Sequence, residues 1–163
     1  MSMPSLSVSI QTQDFDIGQE HMQLRAQDVR VGAVCSFLGT VRSQNDGLAV
    51  AGMTLEHYPG MTEKAILSML SQAAERFDIY AARVIHRVGD LLPGDQIVWV
   101  GVTSAHRGLA FQACEFLIDY LKTQAPFWKK EQTPAGARWV DARVSDDDAL
   151  ARWGIDAPRQ ALD

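Results

Sequence analysis

The stretch from Gln96 to Arg107 constrains this chain most, because the hydrophobic period changes within it. Residues 97–102, IVWVGV, form an apolar run rich in β-branched side chains, which suits a strand buried on both faces. After Ser104 the apolar positions are Leu109, Ala110, Ala113, Phe116, Leu117, Tyr120 and Leu121. That is helical spacing, and it runs up to Pro126, which cannot continue a helix. A strand needing cover on both faces, leading directly into a helix with one apolar stripe, predicts helices layered on a sheet.

The remaining segments extend that scheme. Leu6, Val8 and Ile10 alternate with polar residues as in a half-buried strand, and a short helix is expected from Ile17 to Arg25. Gly32 to Arg42, GAVCSFLGTVR, reads as a strand that ends in SQNDG, a group of turn formers expected to be a mobile surface loop. Val50 to Tyr58 is a further strand. Pro59 and Gly60 stop it, and Thr62 stands as an N-cap before Ala65, Ile66, Met69, Leu70, Ala73 and Phe77, the first long helix. Ala82 to Val88 and Gln96 to Ser104 read as a hairpin across LLPGD. Phe127 to Thr133 and Ala137 to Arg143 are short strands around a Pro134–Gly136 turn, followed by a helical turn from Ser145 to Trp153. The predicted class is α+β, with a mixed, largely antiparallel sheet, two long covering helices and short extra C-terminal strands. A chain of 163 residues without an internal linker is expected to be one domain. Residues 145–163 form an acidic tail, expected to be flexible, solvated surface.

Composition narrows the function. The net charge of -5 argues against general nucleic-acid binding, so any anion site must be local. The charges are uneven: Lys122 to Arg143 holds five basic and two acidic residues, whereas Ser145 to Asp163 holds two basic and five acidic ones. No apolar run approaches a membrane span and the start has no leader pattern, so a cytoplasmic protein without membrane contact is expected. Cys35 and Cys114 are too few for a disulfide framework and read as free buried thiols. There is no metal-ligand spacing and no glycine-rich phosphate loop, so neither metal nor cofactor is expected.

Several residues are placed for anion chemistry. Ser104-Ala105-His106-Arg107 lies where a buried strand becomes a helix, so free backbone N–H groups and a cation can face one anion; a capped helix with a surface arginine is the plainer alternative. Lys122, Lys129 and Lys130 bracket Ala125-Pro126-Phe127-Trp128, where positive charge beside apolar walls can focus an anion or lower a lysine pKa. Solvated lysines over ordinary core aromatics would give the same pattern. Arg42 and Arg143 each end a strand and can grip phosphate or carboxylate, or be ordinary surface residues. His57 and His86 lie in strand patterns and read as structural.

The strings TLEHYPGMTEKA (54–65), VIHRVGDLLPGD (84–95), VGVTSAHR (100–107) and DYLKTQAPFWKKE (119–131) resemble, in order and spacing, the molybdopterin synthase catalytic-subunit family. The resemblance implies an α/β hammerhead-like fold. It also implies an enzyme that takes sulfur from the C-terminal thiocarboxylate of a small ubiquitin-like carrier subunit and builds the dithiolene of molybdopterin on cyclic pyranopterin monophosphate. By position, Lys122 and Lys129 match the family's essential lysines. Phe37, Thr40, Val41, Arg42, His106, Arg107, Lys130, Glu131 and Arg143 match its substrate pocket. Thr40 stands where the family often has lysine, and Ile118 where methionine is sometimes found.

Helix geometry adds an independent expectation. Arg107 and Lys122 are fifteen residues apart on one predicted helix, a separation of roughly 22 Å at about 1.5 Å per residue. If both serve one small ligand, the helix N-terminus must come from another subunit. This predicts a homodimer with composite sites, similar to the family's dimer within a heterotetramer. The rival classes are a binding module that only holds a carrier's terminal carboxylate, and a phosphate-ester enzyme with no protein partner.

Overall fold

The run QIVWVGVTS forms β8 (Gln96–Ser104), a central strand of a four-stranded sheet. It pairs antiparallel with β2 (Ala33–Thr40) on one side and β6 (Ala81–Arg87) on the other, while β1 (Ser5–Gln11) lies parallel to β6 at the edge. The computed structural model describes residues 3–140 and 144–155. Successive residues of β8 face opposite layers, as a strand's period of two requires. Val98, Val100 and Val102 join the main core beneath α2 (Met61–Arg76) and α3 (Arg107–Gln124), whereas Trp99 packs with Leu24 of α1 (Ile17–Arg25), Ala81 and Ile85 on the other side. The indole dictates its neighbour: a Cβ at Gly101 would lie 2.3 Å from a Trp99 ring carbon. Only glycine leaves room for it.

A second sheet has the order β10 (Gly136–Val140), β9 (Phe127–Thr133), β5 (Gly52–His57) and β7 (Gly89–Leu91), with every pair antiparallel. The expected hairpin is present as β6 and β8, but β7 leaves the connection between them to edge this second sheet. The mixed, largely antiparallel α+β class therefore holds, divided between two sheets. Cys114 is buried and Cys35 half-buried, both as free thiols, and burial raises the Cys114 thiol above its ordinary range.

Three local expectations are corrected. SQNDG is not a loop: Gln44–Asn45 (β3) and Leu48–Ala49 (β4) form a small hairpin. Asp46 and Gly47 between them have φ of 51° and 77°, the two left-handed residues of a type I′ turn. Thr62 is not the N-cap of α2; Gly60 is, with φ of 83° and its N–H donated to the Glu63 carboxylate at 2.7 Å. The Thr62 hydroxyl is buried instead, accepting from the Tyr58 N–H and donating to the Pro126 carbonyl, which fixes the start of α2 to the approach to β9. Finally, residues 148–155 are not plain solvated surface. Leu150 at the end of α4 (Val144–Ala151) is fully buried. Trp153 sets its ring edge-on to Phe77 and Phe116 and donates its indole N–H to Asp119 at 2.8 Å. The acidic count hid an aromatic anchor.

Candidate functional site

The path from α3 into β9 carries the two lysines singled out above. Lys122 lies in the last turn of α3, where a cation complements the helix dipole. Ala125 leaves the helix with extended backbone and Pro126 prevents its return, so Lys129 follows in β9 after a short elbow. The floor beneath them is aromatic: the Phe127 ring stacks on His86 of β6, with centroids 3.9 Å apart and planes at 20°. This contact joins the two sheets.

His86 reports where the lysines are. Burial pushes its imidazole down to about 3, against the opposing hydrogen bond with the Arg87 carbonyl, and the positive charges of Lys129, Lys122 and His57 lower it further. The ring is neutral, with Nδ1 donating to the Arg87 carbonyl at 2.9 Å. Both ammonium groups are therefore within electrostatic reach of His86, whose neutral ring, stacked on Phe127, is no acid. The proton linkage has a definite sign: the folded value is depressed from 6.5, so the contribution is complete above that pH. As pH falls from 6.5 toward about 3, the unfolded chain binds a proton that the folded one refuses. We expect the stability difference between wild type and His86→Gln in urea unfolding to shrink by ~2 kcal/mol between pH 7 and pH 5. An unchanged difference would assign the acid sensitivity to other groups.

Residues of one β9 face recur every second position, so Phe127, Lys129 and Glu131 share the inward side. Glu131 is only 2% exposed. Its carboxylate accepts from Arg138 Nη2 at 3.1 Å and Nε at 3.3 Å, across the β9–β10 pair, and from Asn45 Nδ2 at 2.7 Å. Asn45 Oδ1 in turn accepts from Arg42 at 3.2 Å. Arg42 is thus tied through the β3–β4 hairpin to a point two residues beyond Lys129. Asn45 and Arg138 were missed in the sequence, although Asp46-Gly47 is a strong hairpin signal and a carboxylate at an inward strand position requires a partner.

The other candidates fall elsewhere. Phe37 is half-buried against the main core, Thr40 is exposed at the end of β2, and the Val41 side chain is in the core with its backbone paired to Gly94 and Asp95. Lys130 projects from the opposite face of β9, its ammonium 5.6 Å from the Trp139 ring centroid. His106 and Arg107 are exposed at the start of α3, the far end of the helix from Lys122, and among the described residues no side chain caps that end. Arg143 lies outside the described residues. Two surface hollows, about 180 Å³ beside Tyr80 and Thr103 and about 320 Å³ along β5 and β7, are lined by other residues. Among the described residues no three His, Cys, Asp or Glu side chains gather as metal ligands.

Such a constellation can bind an anion at an apolar floor and move protons through lysine. Comparison with known proteins places the chain in a family. Residues 10–124 match the family described as MoaE protein. A molybdopterin synthase catalytic subunit from Ralstonia nicotianae is 62% identical over 149 residues, 91% of this chain and 85% of that protein. One from Escherichia coli is 52% identical over 151 residues, 93% of this chain and 100% of that protein. The solved molybdopterin biosynthesis MoaE protein from Burkholderia ambifaria superposes with a TM-score of 0.79 at 54% identity, covering 94% of this chain and all of that one.

Proposed function

The chain belongs to the MoaE family of molybdopterin synthase catalytic subunits, enzymes of molybdenum-cofactor biosynthesis, and we propose that its own reaction is sulfur transfer onto a phosphorylated pterin. The donor is the C-terminal thiocarboxylate of a small ubiquitin-like carrier subunit, and the acceptor is cyclic pyranopterin monophosphate, which leaves with the dithiolene of molybdopterin. The placing of Lys122 and Lys129 on either side of the Pro126 elbow, each near enough to the Phe127–His86 stack for its charge to lower the imidazole, carries this reading. Two thiocarboxylates are consumed per dithiolene. Each sulfur bonds to a pterin side-chain carbon as a C–O bond there breaks, one oxygen leaving as water and the other with the opened cyclic phosphate. Water then cleaves each acyl–sulfur bond, returning each carrier as a carboxylate. Lys122 assists by proton transfer or by covalent capture of the acyl carbon, and Lys129 stabilises the negative charge that develops there.

Phosphate falls to Arg42, His106, Arg107 and Arg143, with Phe37 and Thr40 shaping the approach, while Val41 supports Arg42 from the core and Lys130 adds positive charge from the opposite face of β9. Glu131 serves through its neighbours, since its carboxylate is occupied by Asn45 and Arg138. The length of α3 supports a composite site: fifteen residues of helix separate Arg107 from Lys122, roughly 22 Å, so a homodimer brings His106 and Arg107 of one chain to the lysines of its partner. The carrier subunits complete a heterotetramer in the cytoplasm. No helix among the described residues is long and apolar enough to cross a membrane.

Incubation with thiocarboxylated carrier and the cyclic pterin, assayed for dithiolene product, tests the reading. Product formation supports it. Carrier binding without product would point to a module that holds a carboxylate; neither would point to another phosphate-ester substrate.

A further inference from the structure

Asn45 is a buried amide in a hairpin whose other described residues are exposed. It lies next to the turn, yet it is only 8% exposed, because its side chain passes under the hairpin to β9. Its two ends have partners of opposite character: Nδ2 donates to the Glu131 carboxylate at 2.7 Å, and Oδ1 accepts from the Arg42 guanidinium at 3.2 Å. A carboxylate only accepts and a guanidinium only donates, so the amide has one possible orientation. Arg138 closes the arrangement from β10, donating to Glu131 and to the Asn45 carbonyl at 3.3 Å. The backbone supports it too, with the Val50 N–H donated to the Ser43 carbonyl and that of Ala51 to Gln132.

We propose that Asn45 is a positioning residue for Arg42, holding one N–H of the guanidinium so that the remaining planar edge is presented to an anion in register with Lys129. The inference rests on the reading of Arg42 as a phosphate-binding group. An exposed arginine on a free loop must be ordered when its ligand arrives, which weakens binding. The amide does that ordering beforehand, and its anchor, Glu131, is on the same β9 face as Lys129. No other short side chain does both jobs. Aspartate would set a carboxylate against Glu131, and serine or alanine cannot span the two partners.

The test uses the full chain assembled with its thiocarboxylated carrier. Asn45→Ala should raise KM for the cyclic pterin about tenfold while kcat stays within about twofold, the loss expected for a hydrogen bond to a charged group. In an Arg42→Ala background it should add nothing, because the effect passes through Arg42. Asn45→Ser should give the same split if the alanine variant does not fold. The Arg42 Nη–H resonances of the free protein supply a readout independent of turnover: the Nη2 proton held by Asn45 is resolved and slow to exchange in wild type, and the guanidinium is rotationally averaged in either Asn45 variant. An unchanged KM with lowered thermal stability, a penalty that persists without Arg42, or an averaged Arg42 signal in wild type would each overturn the inference. Absence of product from wild type would count against the sulfur-transfer reading instead, and the Arg42 signal would still decide the role of Asn45.

Discussion

Lys122→Ala should lower dithiolene formation by ~10²–10⁴-fold, the range lost when a proton-transferring group is removed, while the fold and carrier binding are expected to persist. Lys122 is exposed in the last turn of α3, so its removal creates no cavity. The helix loses a favourable C-terminal charge, a cost of about 0.3–1 kcal/mol, which is small beside the catalytic effect. Lys129 is half-buried over the same floor and remains in the variant, so anion attraction is reduced but not removed. Single-turnover rates with saturating carrier, together with carrier affinity and thermal unfolding, check the result. Near-normal turnover removes Lys122 from the mechanism; lost turnover with equally lost carrier affinity makes it a docking residue.

Where the hydrophobic period was strong, the fold was legible in the residues. IVWVGV predicted a strand covered on both sides, and Val98, Val100 and Trp99 divide between two cores accordingly. The helices over Ile17–Arg25 and up to Pro126 followed from spacing and a proline. What was illegible depended on contacts distant in the chain. Asn45 is 86 residues from Glu131, and no local pattern marks an amide whose partner comes from another sheet. Trp153 lies in a tail whose acidic residues outnumber its basic ones, and its partners Phe77 and Phe116 are far away in the chain, so the local composition carries no sign of the contact. Thr62 had the right chemistry for a cap, but the left-handed backbone at Gly60 moved the helix start and turned its hydroxyl toward Pro126.

The site was legible in kind and only partly in place. Lysines beside aromatics pointed to anion chemistry, and the fold leaves both Lys122 and Lys129 within electrostatic reach of His86 across the elbow at Pro126. Position in the chain could not reveal that Lys130, adjacent to Lys129, faces away toward Trp139, or that Val41, adjacent to Arg42, belongs to the core. In a strand the neighbour in sequence is the neighbour least able to share a ligand, because side chains alternate between faces.

Mixing two inactive variants should restore activity, and this result separates a composite site from one built within a chain. Lys122→Ala and Arg107→Ala each remove an essential half of the proposed pocket and are expected to be nearly inactive alone. Co-expressed chains pair at random, so about half of the dimers contain one of each. In such a dimer, one site combines the intact Lys122 of the Arg107→Ala chain with the intact Arg107 of the Lys122→Ala chain, and the other site lacks both. Activity should therefore return to roughly one quarter of wild type, since half the dimers each hold one working site of two. Were Lys122 and Arg107 to act within a single chain, every site in the mixture would lack one of them and no activity would return. Differently tagged chains, purified for the mixed species alone, should raise the recovery to about one half. Because α3 is a continuous helix from Arg107 to Gln124, bending cannot bring its ends to one ligand. Failure of complementation would therefore remove one of the two residues from the pocket rather than relocate it.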